Sequence, residues 1–149
     1  MERNDENRGV IQFRNRAKQI INFSKLRYGN ITPTDIDGSM DWARKNVVVQ
    51  YEFKLKGAEM ADGQRSHYRF IVDGLRRGGV KAFALLCEHD VENWQEDIDA
   101  SSALVREYYK GDGIWHKIER DVVTVEQFTD WLWRTYGDQS SVVRREPRL

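Results

Sequence analysis

Apolar and polar residues alternate most regularly between residues 47 and 55. One face of an extended chain there carries five apolar side chains, namely Val47, Val49, Tyr51, Phe53 and Leu55. The pattern predicts a strand with one buried face. Residues 35–42 predict a preceding strand, and the short connection at 43–46 predicts that the two strands form a hairpin.

Apolar residues at three- and four-residue spacing predict helices elsewhere in the chain, at 10–26, 62–77, 101–109 and 124–136. Asp62 is the expected N-cap of the second of these helices, and Gly78-Gly79 is expected to end it. Thr124 and Gln127 have the capping-box spacing at the start of the last helix.

Two further segments predict strands. Residues 80–87 are an almost continuous apolar run, which is typical of a central strand, and residues 115–118 predict an edge strand. A hairpin followed by a helix and another strand indicates an α/β (α+β) fold, in which helices flank a mixed central sheet. We expect residues 1–137 to form a single domain and residues 138–149 to form a polar C-terminal tail.

The composition agrees with a folded domain and excludes several classes of protein. The chain has 149 residues, of which 40% are hydrophobic, and it contains five tryptophans, so it does not resemble a disordered chain. No apolar run approaches the roughly 18 residues of a membrane span, and the polar residues 1–9 do not resemble a signal peptide. The single cysteine, Cys87, excludes an intrachain disulfide and a thiolate zinc cluster. We therefore expect a cytoplasmic protein that has no membrane partner.

The formal net charge is zero, but the charges are sorted along the chain. Residues 1–30 have a net charge of +4, residues 52–81 of +3, and residues 88–130 of −8. The neutral total argues against a polycationic nucleic-acid coat. The two basic segments nevertheless predict a surface that binds phosphates with modest, salt-sensitive affinity.

Two carboxylates of the predicted hairpin are expected to meet. A turn centred on residues 44 and 45 places Asp37 opposite Glu52, with Cβ atoms about 5 Å apart. Two carboxylates at that distance repel each other unless a cation bridges them, and Mg²⁺ is a divalent cation that prefers oxygen ligands. Lys54 points to the same side of the strand as Glu52, where its ammonium would orient or help deprotonate an attacking water. Asp35, which lies opposite Lys54, is the alternative first ligand, with Asp37 then supporting it.

Asp37 followed by Glu52-Phe53-Lys54 resembles the bipartite Asp…Glu-x-Lys motif of the PD-(D/E)xK nuclease superfamily. Gln64, in the first turn of the next predicted helix, is similar to a glutamine that recurs in the resolvase-like, virus-type and exonuclease-like branches. The branch that the chain resembles is the resolvase-like or phage-type one. The resemblance covers about residues 10–90. It implies a restriction-endonuclease-like core and hydrolysis of DNA phosphodiester bonds with Mg²⁺ or Mn²⁺. The residues that it implies as catalytic are Asp37, Glu52, Lys54 and Gln64.

The positions of other charged residues suggest further site residues. Asp35 joins Asp37 and Glu52 as a candidate metal ligand. Basic residues that flank the site, or that lie on the first predicted helix, are candidate DNA contacts, namely Lys56, Arg65, Arg14 and Lys18. A nuclease of this size suits the processing of phage or mobile-element DNA in the host cytoplasm, as a monomer or as a homodimer.

Two other functions stay open. The first predicted helix, residues 10–26, contains no acidic residue, so a catalytically inactive nuclease fold that binds DNA or protein is one of them. The other is an acidic interaction or inhibitor protein, in which residues 88–130 imitate a nucleic acid.

Overall fold

A computed structural model describes residues 13, 15, 18–119 and 121–137 of the chain. Contacts divide the chain into two compact units, Met1–Pro33 and Thr34–Leu149, and each unit is described by itself. The predicted tail at 138–149 lies outside the described residues, and the single domain of residues 1–137 stays a prediction.

The first unit contains turns where the sequence pattern predicts part of a helix. Within the predicted helix 10–26, residues 19–26 are described and are not helical. Ile20 is 90% exposed, so the apolar face that would stabilise such a helix is not buried there. Tyr28 and Ile31 form a short antiparallel bridge after these turns. The helix prediction is therefore wrong over residues 19–26.

Five strands form one mixed sheet in the second unit. They are β1 (Gly38–Trp42), β2 (Val47–Leu55), β3 (Lys81–His89), β4 (Leu104–Tyr109) and β5 (Trp115–Lys117), and they lie side by side in that order. β2 and β3 are parallel, whereas the other neighbouring pairs are antiparallel. The helix α1 (Asp62–Arg77) connects the two parallel strands, and the helix α2 (Val125–Tyr136) follows β5. The predicted mixed sheet of an α+β fold is confirmed.

The two faces of the sheet are covered by different helices. The α2-side core contains Val47, Val49 and Tyr51 of β2, which pack with Phe128 and Leu132 of α2. The α1-side core on the opposite face consists of Met60, Tyr68, Val72, Ala82, Ala84, Leu86 and Tyr109. The alternation of β2 places its apolar residues under α2, so the predicted burial of that face is confirmed. The polar face lies under α1 and is buried too at Gln50 and Glu52, which the alternation did not predict.

The predicted hairpin register is confirmed within the strands, from Gly38 opposite Tyr51 to Trp42 opposite Val47. A short 3-10 turn, Ala43–Lys45, forms the connection between them.

The start of the hairpin differs from its prediction, because β1 begins at Gly38 and not at residue 35. Asp35 and Asp37 therefore precede the strand. The strict alternation fails in this segment, since Ile36 packs against the α1-side core. A regular strand over residues 35–42 would place Ile36 on the face of Met40, which packs against the α2-side core.

The predicted helix at 101–109 is wrong, because Leu104–Tyr109 is the strand β4. Its pairing with β3 shifts between two neighbouring positions, where Leu86 lies opposite Glu107 and Cys87 lies opposite Val105. Arg106 is therefore an extra residue in a β-bulge.

The bulge explains why β4 resembles a helix in sequence. Val105 belongs to the α2-side core and Tyr109 to the α1-side core, although the two would share a face in a regular strand. Apolar residues consequently recur at 104–105 and 108–109, a spacing of about four residues that is typical of helices.

Both helices begin and end close to their predicted bounds. The N-cap of α1 is Ala61, and the predicted cap Asp62 is the first helical residue. The capping box of α2 is confirmed, because Thr124 Oγ1 accepts the Gln127 N–H at 3.1 Å and Gln127 Oε1 accepts the Thr124 N–H at 3.0 Å. In the described part of the chain, no helix combines the length and the apolar character that crossing a bilayer requires.

Candidate active site

One edge of the sheet, here called the carboxyl edge, receives the ends of β2 and β3 and the starts of both helices. The N–H of Lys56, just after β2, donates to the carbonyl of His89 at the end of β3 at 2.7 Å. Thr124, which caps α2, bridges to Leu104 at the start of β4. Ligands of α/β proteins commonly bind at the carboxyl ends of parallel strands, and helix N-termini favour anions. The Glu-x-Lys segment of β2 ends at this edge.

Glu52 is a buried carboxylate that is 4% exposed. Its Oε1 accepts a hydrogen bond of 3.1 Å from Gln64 Nε2, and its Oε2 accepts one of 2.6 Å from the Tyr68 hydroxyl. Lys54 Nζ lies 3.1 Å from Oε1. A buried charge is tolerated where it is paired and hydrogen-bonded, and these three donors meet that condition for Glu52.

α1 holds the two uncharged donors in place. Gln64 Oε1 accepts the N–H of Ala61 at 3.3 Å, which fixes the side chain at the first turn of the helix. Tyr68, one helical turn later, is 1% exposed. Burial, together with the hydrogen bond to Glu52, raises the pKa of the Tyr68 hydroxyl. The hydroxyl therefore stays protonated and acts as a donor.

Lys54 is more accessible than its partner carboxylate. Its side chain is 25% exposed, against 5% for that of Glu52. The two residues are two positions apart on β2 and point to the same face of the sheet. The ammonium of Lys54 is therefore the more solvent-accessible member of the ion pair.

Asp37 lies beyond the last residue pair of the hairpin, Gly38 and Tyr51. Its Oδ2 accepts the N–H of Phe53 at 2.8 Å, so a side-chain carboxylate continues the pairing where the strand β1 has not yet begun. Partial burial raises the pKa of the Asp37 carboxyl, and the charge of Glu52 raises it further, while the hydrogen bond from Phe53 opposes the shift. Asp37 and Glu52 are thus near enough to repel each other.

The two carboxylates suit a magnesium ion better than a metal that needs many protein ligands. No three His, Cys, Asp or Glu side chains among the described residues form a group that could hold a metal. Asp35 therefore does not complete such a group with Asp37 and Glu52. Mg²⁺ is commonly bound through one or two carboxylates, with waters and substrate phosphates as its other ligands. The donor set of Asp37 and Glu52 fits that preference.

The four candidate DNA contacts lie in different surroundings. Lys56 is exposed just after β2, and Lys18 is exposed in a turn of the first unit. Arg65 is held by Glu107 through two hydrogen bonds, of 3.2 and 2.7 Å, and its guanidinium lies 5.3 Å from the ring centroid of Trp115. Arg14 lies outside the described residues.

The Glu-x-Lys motif gives no indication that Tyr68 contacts Glu52. The spacing of Gln64 and Tyr68 does indicate this contact. Residues four positions apart on a helix lie on the same face, and Gln64 points toward β2. A tyrosine at that position brings a hydroxyl to the same carboxylate.

No protein-family model, no curated protein and no solved structure matches the chain. The function is therefore inferred from the geometry and chemistry around Glu52.

Proposed function

We propose that the chain is a Mg²⁺-dependent deoxyribonuclease, which hydrolyses phosphodiester bonds of DNA at a site of the PD-(D/E)xK kind. The observation that carries the proposal is the ion pair between Lys54 and the buried Glu52 at the carboxyl edge, with Asp37 held against the same strand. Burying a carboxylate near a second carboxylate costs stability, and carboxyls with a raised pKa, such as that of Asp37, cluster at functional sites. Processing of phage or mobile-element DNA is the cellular role that this activity would suit.

Asp37 and Glu52 are the residues that would hold Mg²⁺, and Asp35 adds a third negative charge beside Asp37. The raised pKa of Asp37 supports this assignment, because a divalent cation would offset both the partial burial and the repulsion from Glu52. When bound, Mg²⁺ supplies Lewis-acid polarisation of the phosphate and neutralises charge that develops during hydrolysis. Mn²⁺ also prefers oxygen ligands and would occupy the same site.

Lys54 would act on the water and the phosphate. Its ammonium makes one contact with Glu52, and it has further N–H groups that can orient the attacking water or stabilise charge on the phosphate oxygens. Gln64 and Tyr68 are positioning residues, because each donates a hydrogen bond to Glu52 and so fixes the direction of its oxygens.

DNA would approach the carboxyl edge, where the N-terminus of α1 and the exposed Lys56 favour phosphates. Arg65 adds positive charge on α1, although its guanidinium is already held by Glu107. Arg14 and Lys18 belong to the first unit and stay predictions as DNA contacts.

One observation favours a second function, that of an acidic interaction protein. The connection between β3 and β4 contains five carboxylates and no lysine or arginine over residues 90–99, and it exposes 85% of Trp94. An exposed tryptophan among acidic residues suits a basic protein surface. Reversing the charges of Asp97 and Asp99 should then abolish partner binding, whereas Glu52→Ala should leave it intact.

The test of the nuclease is a cleavage assay on linear, circular, single-stranded and branched DNA with Mg²⁺, Mn²⁺ or EDTA. We expect cleavage with the divalent ions and none with EDTA. Glu52→Gln and Lys54→Ala should each lower the cleavage rate by at least about 100-fold, the range seen when one electrostatic contact to a transition state is removed. Circular dichroism would verify that both variants are folded.

Matched controls come from exposed residues away from the site. Glu119→Gln and Lys45→Ala remove the same charges at exposed positions and should leave the rate unchanged. Full activity of Glu52→Gln or Lys54→Ala, or cleavage that persists in EDTA, would refute the assignment.

A further inference from the structure

A cavity of ≈ 340 Å³ lies beside Lys54 on the α1 face of the sheet. It is here called the Lys54 cavity. Its basic lining residues come from four different elements, namely Lys54 of β2, Arg65 of α1, Arg106 of β4 and Lys117 of β5, and its acidic lining residues are Glu59, Glu88 and Glu107. Convergence of basic side chains from separate elements distinguishes it from a row of lysines on one exposed helix.

The β-bulge in β4 brings Arg106 and Glu107 to the same face of the sheet. Val105 belongs to the α2-side core, so Arg106, the next residue, points to the α1 face. In a regular strand Glu107 would then point back to the α2 face, but the extra residue keeps it on the α1 face. Arg106 Nη2 donates to Glu88 Oε1 at 3.0 Å, on the same side as Lys54. Bulges often redirect a side chain next to a functional site.

Among the described residues, the ion pairs in the Lys54 cavity leave N–H donors of Arg106 and Lys117 unengaged. Both oxygens of Glu107 are engaged by Arg65, and Glu88 contacts Arg106 through a single hydrogen bond. Lys117 lies opposite Glu107 in the β4–β5 pairing, but no ion pair within the described part of the chain includes it. Lys117 and Arg106 therefore retain N–H donors for an anionic ligand.

We propose that the Lys54 cavity binds a phosphate group of the nucleic-acid strand, next to the phosphate that is hydrolysed. The proposal rests on the proposed function for the identity of the strand, whereas the chemistry of recognition rests on Arg106, Lys117 and Lys54. Arginine and lysine bind phosphate oxygens through short, charge-assisted hydrogen bonds. The phosphate is either a terminal monoester or an internal diester, since both present the same oxygens.

The experiment measures binding of short, fluorescently labelled single-stranded DNA to the full chain by anisotropy, in EDTA so that no cleavage occurs. The probes carry a 5′-phosphate, a 3′-phosphate or no terminal phosphate. Arg106→Gln and Lys117→Gln should each weaken binding about tenfold, as expected for a lost hydrogen bond to a charged group. The slope of log affinity against log salt should fall by about 0.7 for each lost phosphate contact to a single strand.

Two comparisons make the result specific. Lys45→Gln removes a charge from the exposed connection between β1 and β2 and should bind as the original chain does. Arg106→Gln removes the ion pair with Glu88 and could impair folding. Lys117→Gln breaks no described ion pair, so it tests the phosphate site even if the Arg106 variant does not fold. Weakening of only the phosphorylated probes would identify a terminal phosphate, and equal weakening of all three probes would identify an internal one.

Unchanged binding in both Arg106→Gln and Lys117→Gln would overturn the phosphate site, even if Mg²⁺-dependent cleavage is observed. An equal loss in Lys45→Gln would overturn it as well, because the effect would then be that of overall charge. Weakened binding in the two cavity variants supports the site even if no cleavage is detected, so failure of the nuclease and failure of the cavity are distinguishable.

Discussion

The hydroxyl of Tyr68 donates a hydrogen bond of 2.6 Å to Oε2 of Glu52, and this contact joins α1 to the buried end of β2. It is short because the acceptor is a carboxylate, and charge-assisted hydrogen bonds are roughly twice as strong as neutral ones. Gln64 and Lys54 engage the other oxygen. The carboxylate is therefore held in one orientation by three donors.

Replacement of Tyr68 by phenylalanine should destabilise the protein. The ring would still fill the α1-side core, but the carboxylate of Glu52 would lose a buried donor. We expect the free energy of unfolding to fall by about 1.5–3 kcal/mol, the usual contribution of a hydrogen bond to a charged group. Urea denaturation followed by tryptophan fluorescence measures this difference.

Tyr28→Phe is the matched control for that measurement. Tyr28 is 75% exposed, so loss of its hydroxyl should change the free energy of unfolding by less than about 0.5 kcal/mol. If both substitutions have the same small effect, the contact between Tyr68 and Glu52 does not contribute to stability.

Asp37 should make stability depend on pH in a direction opposite to that of most carboxylates. Because its folded pKa is raised, the folded state holds more protons on this group than the unfolded state between the ordinary pKa and the raised one. Stability should therefore fall as the pH rises from about 3.8 through that window. Asp37→Asn, which keeps an oxygen for the Phe53 N–H, should remove this fall. The free energy of unfolding can be measured by urea titration in EDTA between pH 3 and pH 7, at steps on the order of one pH unit. If the curves of free energy against pH run parallel for the original chain and for Asp37→Asn, the prediction is contradicted.

Mg²⁺ should stabilise the folded protein, because an ion that binds only the folded state adds to the free energy of unfolding. The increase is about 2.7 kcal/mol when the free ion is at 100 times its Kd. The Tm measured by differential scanning calorimetry should rise with Mg²⁺ and return with EDTA, and it should not rise in Asp37→Asn or Glu52→Gln. Asp41→Asn, an exposed carboxylate of the same hairpin, should respond as the original chain does. Equal shifts in Asp37→Asn and the original chain would exclude Asp37 as a ligand.

The hairpin and the last helix could be predicted from the sequence because their signals are local. Strict alternation fixed the faces of β2, and the short connection fixed its register with β1. Thr124 and Gln127 define the start of α2 through their own side chains. Each of these features depends on residues that are close along the chain.

The β-bulge of β4 could not be predicted in the same way, because it is defined by pairing with β3. Only that pairing shows that Arg106 is the extra residue between Val105 and Glu107. The helix predicted over residues 19–26 is wrong for a related reason. The apolar residues there have helical spacing, but a helix also needs a surface on which to bury them, and Ile20 is 90% exposed. The contact of Tyr68 with Glu52 likewise depends on how α1 lies over β2.

Cys87 should be unreactive in the folded protein. It is 0% exposed in the α2-side core, and burial, with smaller effects from the charges of Asp37 and Glu52, raises the pKa of its thiol. The thiolate is the species that reacts with disulfide reagents, so labelling at neutral pH should require unfolding. Labelling rates across a urea series should follow the unfolding transition. If the thiol of the folded protein is labelled in native buffer as fast as that of the unfolded protein in urea, the thiol is accessible and the prediction is contradicted.

Thr124→Ala should remove a helix cap without disturbing the core. The side chain of Thr124 accepts the Gln127 N–H at 3.1 Å, whereas the pairing of Thr124 with Leu104 uses the backbone and would survive. We expect the free energy of unfolding to fall by about 1 kcal/mol, the typical cost of losing an N-cap oxygen. Thr135→Ala in the same helix is the control, because its hydroxyl only bonds the Trp131 carbonyl within the helix and alanine favours helix. Urea denaturation should separate the two variants, and an equal effect at both positions would mean that the cap contributes no more than an exposed helical threonine does.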